Sequence, residues 1–227
     1  MSRTYRALAA LLSYPTEPLQ AEASEIAAVL DAEALLSPAG REALSGLLDD
    51  LARGDLYEMQ ERYVGLFDRG RSVSLHLFEH VHGESRDRGQ AMADLITLYQ
   101  EHGLEMSPGE LPDFLPLFLE FTSLLPPAEA RELLAEPAPI LRALADRLAS
   151  RDAGYAAVMR AVAELAMAPA AGASAVPDED PDDLAALDAA WEEAAVRFGP
   201  GEAMDGCGTD RLRTRLRAAT RDAAAAA

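Results

Sequence analysis

Residues 37–67 read SPAGREALSGLLDDLARGDLYEMQERYVGLF, and this stretch sets the fold class. Ser37 is a good helix N-cap, because its hydroxyl can accept a backbone N–H that the first turn leaves orphaned. Pro38 suits the first helical position, where no N–H is required. Leu44, Leu47, Leu48 and Leu51 then form an apolar stripe, and Gly54 suits the stop. Asp55 and Glu58 repeat the start signal as a capping pattern. Leu56, Met59, Tyr63, Val64 and Phe67 fall on one side of the helix that follows.

The same rhythm runs outward in both directions. Leu8, Leu11 and Leu12 give one face of a first helix, with Ser2 as its cap and Pro15 just past its end. Ser85 caps a helix over Arg86 to His102, with Met92, Leu95, Ile96 and Tyr99 inward and Gly103 as its stop. Ser107-Pro108-Gly109-Glu110 reads as another capping box. Asp113 is expected to cap an apolar helix from Phe114 to Leu125, ended by Pro126-Pro127. Two or three more helices fit between Ala128 and Met167, and no run of alternating or β-branched residues argues for a strand. The expectation is an all-α, single-domain bundle of about 8–10 helices. Residues 1–168 would form its core. Residues 169–181, small, proline-containing and acidic, would be a flexible linker or loop. Residues 182–227 would be a C-terminal helical segment with an arginine-rich, frayed tail.

Composition narrows the function. The 227 residues suffice for one large domain or two small ones. The formal net charge is −19, which disfavours nucleic acid and anionic membrane surfaces and favours a basic partner. All 20 basic residues are arginine. A single cysteine, Cys207, precludes an intramolecular disulfide and fits a reducing compartment. The apolar run near the N-terminus is too short for a signal core, and no window approaches the roughly 20 apolar residues of a membrane span. A cytoplasmic protein is expected, not an integral membrane one.

Unusual residues gather between 57 and 95, which holds three of the four histidines. His76-Leu77-Phe78-Glu79-His80 matches the inverted zinc-peptidase pattern H-x-x-E-H. On a helix both imidazoles would share a face and Glu79 could activate water. A third ligand would still be needed, with Glu120 and Glu164 available. A zinc-dependent hydrolase is therefore the alternative reading. His80-Val81-His82-Gly83-Glu84 reads more simply as a polar helix end. Arg69, Arg71, Arg86 and Arg88 lie near Asp68, Glu79, Glu84 and Asp87 in sequence, as an ion-pair network or the rim of a groove would require. No phosphate-binding or dinucleotide fingerprint is present. Leu111, Phe114, Leu115, Leu117, Phe118 and Phe121 make an apolar surface wider than one stripe, so part of it could line a groove for a basic amphipathic helix.

Two segments carry a family resemblance: YVGLFDRGRSVSLHLFEHVHGESRDRGQAM at 63–92 and ELPDFLPLFLEFTSLLP at 110–126. They resemble the NarJ type of assembly chaperone, the delta subunit of respiratory nitrate reductase, within the wider TorD/DmsD-like set. The resemblance covers roughly residues 3–200. It implies a TorD-like, all-helical cytoplasmic chaperone that is not an enzyme and binds no cofactor stably. Such a chaperone would bind the N-terminal peptide of the apo catalytic alpha subunit. It would hold that subunit until the molybdenum bis-guanine-dinucleotide cofactor is inserted, with cofactor-delivery proteins as further partners. The wider set carries a Pro-Asp-His pattern. Here Pro112-Asp113-Phe114 stands in its place, so no role of that histidine transfers. On this reading Tyr63, Phe67, Leu75, Phe78, Phe114, Phe118 and Phe121 lie at or beneath the peptide groove. Glu79, Glu84, Asp87 and Glu120 would pair with its basic side chains.

Overall fold

In a computed structural model of the chain, Ser37 and Asp55 start helices as their positions predict. The structure describes residues 2–82, 86–107 and 109–166. Ser37 Oγ accepts the Gly40 N–H at 3.1 Å and opens α4 (Pro38–Arg53). Asp55 accepts the N–H groups of Tyr57 and Glu58 at 2.9 and 3.1 Å and opens α5 (Leu56–Phe67). Gly54 separates the two helices for a steric reason: a Cβ there would sit 2.5 Å from the Asp50 carbonyl oxygen.

The first helix, α1 (Arg3–Leu11), is capped differently from the expectation. Ser2 occupies the N-cap position but makes no side-chain cap. The acceptor is Glu33, the last residue of α3 (Ala23–Glu33). Its carboxylate takes the Arg3 and Thr4 N–H groups, both at 2.8 Å, and the Ser2 and Thr4 hydroxyls at 2.7 and 2.8 Å. A carboxylate at a helix N-terminus also meets the positive end of the helix dipole. The short α2 (Glu17–Ala21), which the sequence did not signal, connects α1 to α3 behind a Thr16 cap.

After α5 come a 3-10 turn at Arg71–Val73, the one-turn α6 (Glu79–His82) and α7 (Arg86–Glu101). Gly103, in the left-handed region at φ +76°, follows the end of α7. The apolar helix α8 spans Leu115–Leu124, and α9 (Pro127–Ala135), α10 (Ala138–Ala149) and α11 (Ala153–Leu165) complete the described fold. Eleven α-helices and no strand occur among the described residues, so the fold is all-α. Ser107, Gly109 and Glu110 are turn and coil, and no helix starts at these described residues, so that capping box is corrected. The predicted linker at 169–181 and the segment 182–227 lie outside the described residues, as does Cys207.

The centre of the bundle is α11, which packs on α10, α4, α1 and α9. Nine of its 13 residues are buried, so it is apolar nearly all round, as an interior helix must be. Arg62 of α5 clamps it. The guanidinium forks onto Asp152, donates to Asp50 at 2.9 Å and lies 5.6 Å from the Tyr155 ring centre. Asp152 in turn caps α11 by accepting the Tyr155 N–H at 3.0 Å. Burial pushes the Asp152 carboxyl up, but Arg62 and the backbone donors outweigh it and hold it below the usual range.

Replacing Glu33 by Gln should cost about 1–2 kcal/mol in urea denaturation at pH 7, as loss of a helix cap does. Burial raises the Glu33 pKa, yet the Arg3, Ser2 and Thr4 donors bring it from 4.5 down to about 2. The carboxylate therefore stabilises the fold fully above pH 4.5 and loses that effect as pH falls towards 2. The gap between wild type and Glu33→Gln should close over that window. A gap that stays constant would show that the charge of Glu33 is not what caps α1.

Candidate functional site

The histidine-rich segment does not form the helix that a metal site would need. Val73, Leu75, Leu77 and Phe78 are all buried, and they draw the non-helical residues 74–78 towards the core. Helix begins only at Glu79, so His76 and His80 do not share a helix face. His80 Nε2 lies 2.8 Å from the Ser74 carbonyl, which can only accept, so Nε2 carries the proton. Burial lowers the His80 pKa against the opposing effect of that carbonyl, and the Arg147 charge adds to the lowering. The ring is thus neutral at pH 7. Glu164, a candidate third ligand, accepts the Ser37 N–H at 2.6 Å. No group of three or more His, Cys, Asp or Glu side chains among the described residues could hold a metal ion. The geometry gives no support to the zinc reading.

The segment is fastened at both ends. Arg147 donates to the Ser72 carbonyl at 2.8 Å, and Arg151 donates to the Ser72 hydroxyl at 3.1 Å. Further along, His76 pairs with Phe114 in an isolated antiparallel bridge. Leu77 N–H donates to Asp113 O at 3.0 Å, and Leu115 N–H donates to Leu75 O at 2.8 Å. Tyr99 supports this strip from α7 by donating to Pro112 O at 2.8 Å.

Asp113 is the hub, and its role differs from the expected one. The N-cap position of α8 belongs to Phe114, and no side chain caps that helix. The Asp113 carboxylate is fully buried and accepts the Phe78 N–H at 3.1 Å. His76 Nδ1 lies 3.4 Å away and Arg88 3.8 Å away, while Arg88 also reaches Glu79 at 3.3 Å. The arginine and acid cluster read from sequence is thus realised in Arg88 and Glu79, with Asp113 added from 25 residues downstream.

The anticipated groove residues separate by depth. Tyr63, Phe67, Leu75, Phe78, Phe118 and Phe121 are buried core. They lie beneath a surface and do not line it. Phe114 and Glu79 are half-buried, and Asp87 and Glu120 are exposed. The Phe114 ring stands 5.3 Å from that of His76, with Leu111 exposed to 42% and Leu117 half-buried as its sequence neighbours. Phe114, His76, Glu79 and Arg88 therefore form one mixed surface around the bridge. Glu120 is not part of it. It lines a separate groove with residues of α1 and α3. Glu84 lies outside the described residues. Sequence reading placed Tyr99 inward without its bond to Pro112 and missed Arg147 and Arg151, because hydrogen bonds to partners 13 to 79 residues away leave no local pattern.

Asp113→Ala should cost about 2–4 kcal/mol, since it strips an acceptor from the Phe78 N–H and a counter-charge from Arg88. Hydrogen exchange at the Leu77 and Phe78 amides should rise more than exchange in α10 and α11. Uniform acceleration throughout the bundle would show that Asp113 acts on global stability and does not hold this segment in particular.

A model of the family described as nitrate reductase delta subunit matches residues 33–161, a range that includes the whole bridge and the Asp113 hub. The chain is similar to the nitrate reductase molybdenum cofactor assembly chaperone NarJ of Escherichia coli (strain K12). The two are 44% identical over 206 residues, which is 89% of this chain and 86% of the relative. A probable chaperone of the same description, NarW of the same strain, is 42% identical over 83% of this chain and 80% of its own length. The probable NarJ of Bacillus subtilis (strain 168) is 33% identical over 69% and 84%. With most of its length and its central polar hub inside these matches, the chain belongs to the nitrate reductase delta subunit family.

Proposed function

We propose that the protein is a cytoplasmic chaperone of nitrate reductase assembly with no turnover of its own. It binds the N-terminal segment of the apo catalytic alpha subunit and keeps that subunit competent for molybdenum bis-guanine-dinucleotide insertion. Cofactor-delivery proteins would meet it at that stage. The cofactor is cargo for the partner and not a resident of this fold. The observation that carries the reading is similarity along 89% of the chain to a molybdenum cofactor assembly chaperone.

The physical features are consistent with it. No helix among the described residues is long and apolar enough to cross a membrane. A net charge of −19 favours a basic segment over an acidic one. The half-buried Phe114 follows Asp113, which Arg88 links to Glu79, and exposed Asp87 precedes Arg88 in the chain; an apolar contact with carboxylates in its neighbourhood suits an amphipathic peptide. Leu75 and Phe78, buried in the strip bonded to Asp113 and Leu115, lie next to that surface.

Calorimetry with the N-terminal peptide of the cognate alpha subunit tests this reading. Binding should be micromolar or tighter, about −8 kcal/mol. Phe114→Ala should weaken it about tenfold, and Glu79→Arg or Asp87→Arg should weaken it less and more visibly at low salt. Phe118→Ala is a poor probe, because removing a core aromatic costs roughly 3–5 kcal/mol of stability. Deletion in the native host should leave nitrate reductase lacking molybdenum. Absence of peptide binding, or normal molybdenum content after deletion, would overturn the proposal.

A further inference from the structure

Helices α3 and α4 pack against each other, and Arg41 pairs with Asp31 across them at 3.1 Å. A groove of about 370 Å³ lies between them. Leu30, buried, and Ala27 and Leu48, half-buried, give it an apolar floor. Asp31, Glu42 and Asp49 stand exposed along it. Its α4 wall runs from Pro38 to Asp49, about 16 Å of helix.

The described residues end beside the mouth of this groove. Glu164, in the last turn of α11, accepts the Ser37 N–H at 2.6 Å, and Pro38, the next residue, lines the groove. The 61 residues after Ala166 therefore start from one end of it. Among them, residues 211–221 read RLRTRLRAATR and hold five of the 20 arginines and no acid. Leu212 and Leu216 stand between arginines in that run.

Charge distinguishes this groove from the other surfaces. Arg3 and Arg6 line the groove of α1 and α3, and Arg88 stands at the Phe114 surface. The one arginine here, Arg41, is held by Asp31 and by the Leu36 carbonyl, and three carboxylates outnumber it. Length is no obstacle. Arg211 follows Ala166 by 45 positions, and a coil of that length spans roughly 35–40 Å. Attachment makes the encounter intramolecular, so exposed ion pairs that are weak singly suffice.

We infer that the groove of α3 and α4 is the docking surface of the chain's own residues 211–221. Leu212 and Leu216 lie on Ala27, Leu30 and Leu48, and the arginines pair with Asp31, Glu42 and Asp49. The occupant is a covalently attached segment and not a partner. The inference therefore stands whether or not the alpha-subunit peptide binds at Phe114.

The test uses the full chain. Cys207, the single cysteine, lies four positions before Arg211 and takes a nitroxide label. In nitrogen-15 spectra the label should erase the amide signals of Ala27, Ser45, Leu48 and Asp49 and spare those of Leu77, Glu79 and Phe114. Chemical reduction of the nitroxide should restore them. Glu42→Arg/Asp49→Arg, on exposed positions that leave folding intact, should restore them with the label still active, and so should 1 M salt, where the screening length falls to about 3 Å. Phe114→Ala should change nothing. A mixture of labelled chains with separate isotope-enriched, unlabelled chains should show no loss. Retained groove signals in the labelled wild type overturn the inference. So does loss at Leu77, Glu79 and Phe114 instead, which would place the segment on the peptide surface. Loss that survives the double Arg variant, or loss in the mixture, which would mean docking between two copies, overturns it as well.

Discussion

The buried carboxylate of Asp113 is the constraint on which the candidate site depends. A carboxyl group with no exposure is costly to bury unless donors meet it. The Phe78 N–H, with His76 and Arg88 close by, answers that cost, and all three come from chain well upstream. Satisfying Asp113 therefore holds residues 76–78 against the start of α8. The backbone bridge to Leu75 and Leu77 then follows, because the two strips already lie side by side. A rigid loop results where apolar pull alone would leave a sliding one.

This arrangement explains why the histidines are not a metal site. Spacings of three and four residues bring side chains together only on a helix. Here Val73, Leu75, Leu77 and Phe78 are all drawn inward, and burying them together is incompatible with a helix through His76. The helix starts late, His80 turns back to Ser74 and His76 stacks near Phe114. Packing of four large apolar side chains, worth roughly 1.5–3 kcal/mol each, outweighs the small helical preference of the intervening residues.

Long-range carboxylates recur as the organising device. Glu33 caps α1 from the far end of α3, Asp152 joins α5 to α11 through Arg62, and Asp113 joins the loop to α8. Each converts an exposed polar end into an inter-helix tie. The remaining exposed acids, Glu22, Glu25, Asp87 and Glu120 among them, stand at the surface and contribute to the negative charge there. The tie and the surface use the same chemistry, and burial with donors separates one role from the other.

The sequence by itself determined the all-helical class, the caps at Ser37 and Asp55, the stop at Gly54 and the apolar stripes. Each of these depends on residues within about four positions, where helix geometry makes spacing equivalent to proximity. The two segments bearing the family resemblance were legible for the same reason, as ordered strings of residues. Only the tertiary structure decided that Asp113 is a buried hub and not a cap, that Glu33 and not Ser2 caps α1, and that six of the expected groove residues lie in the core. It also moved Glu120 to a different groove from Phe114. Those outcomes rest on partners 25 to 37 positions apart or on which helix faces the interior. Such contacts are set by packing the whole bundle, which no local pattern encodes.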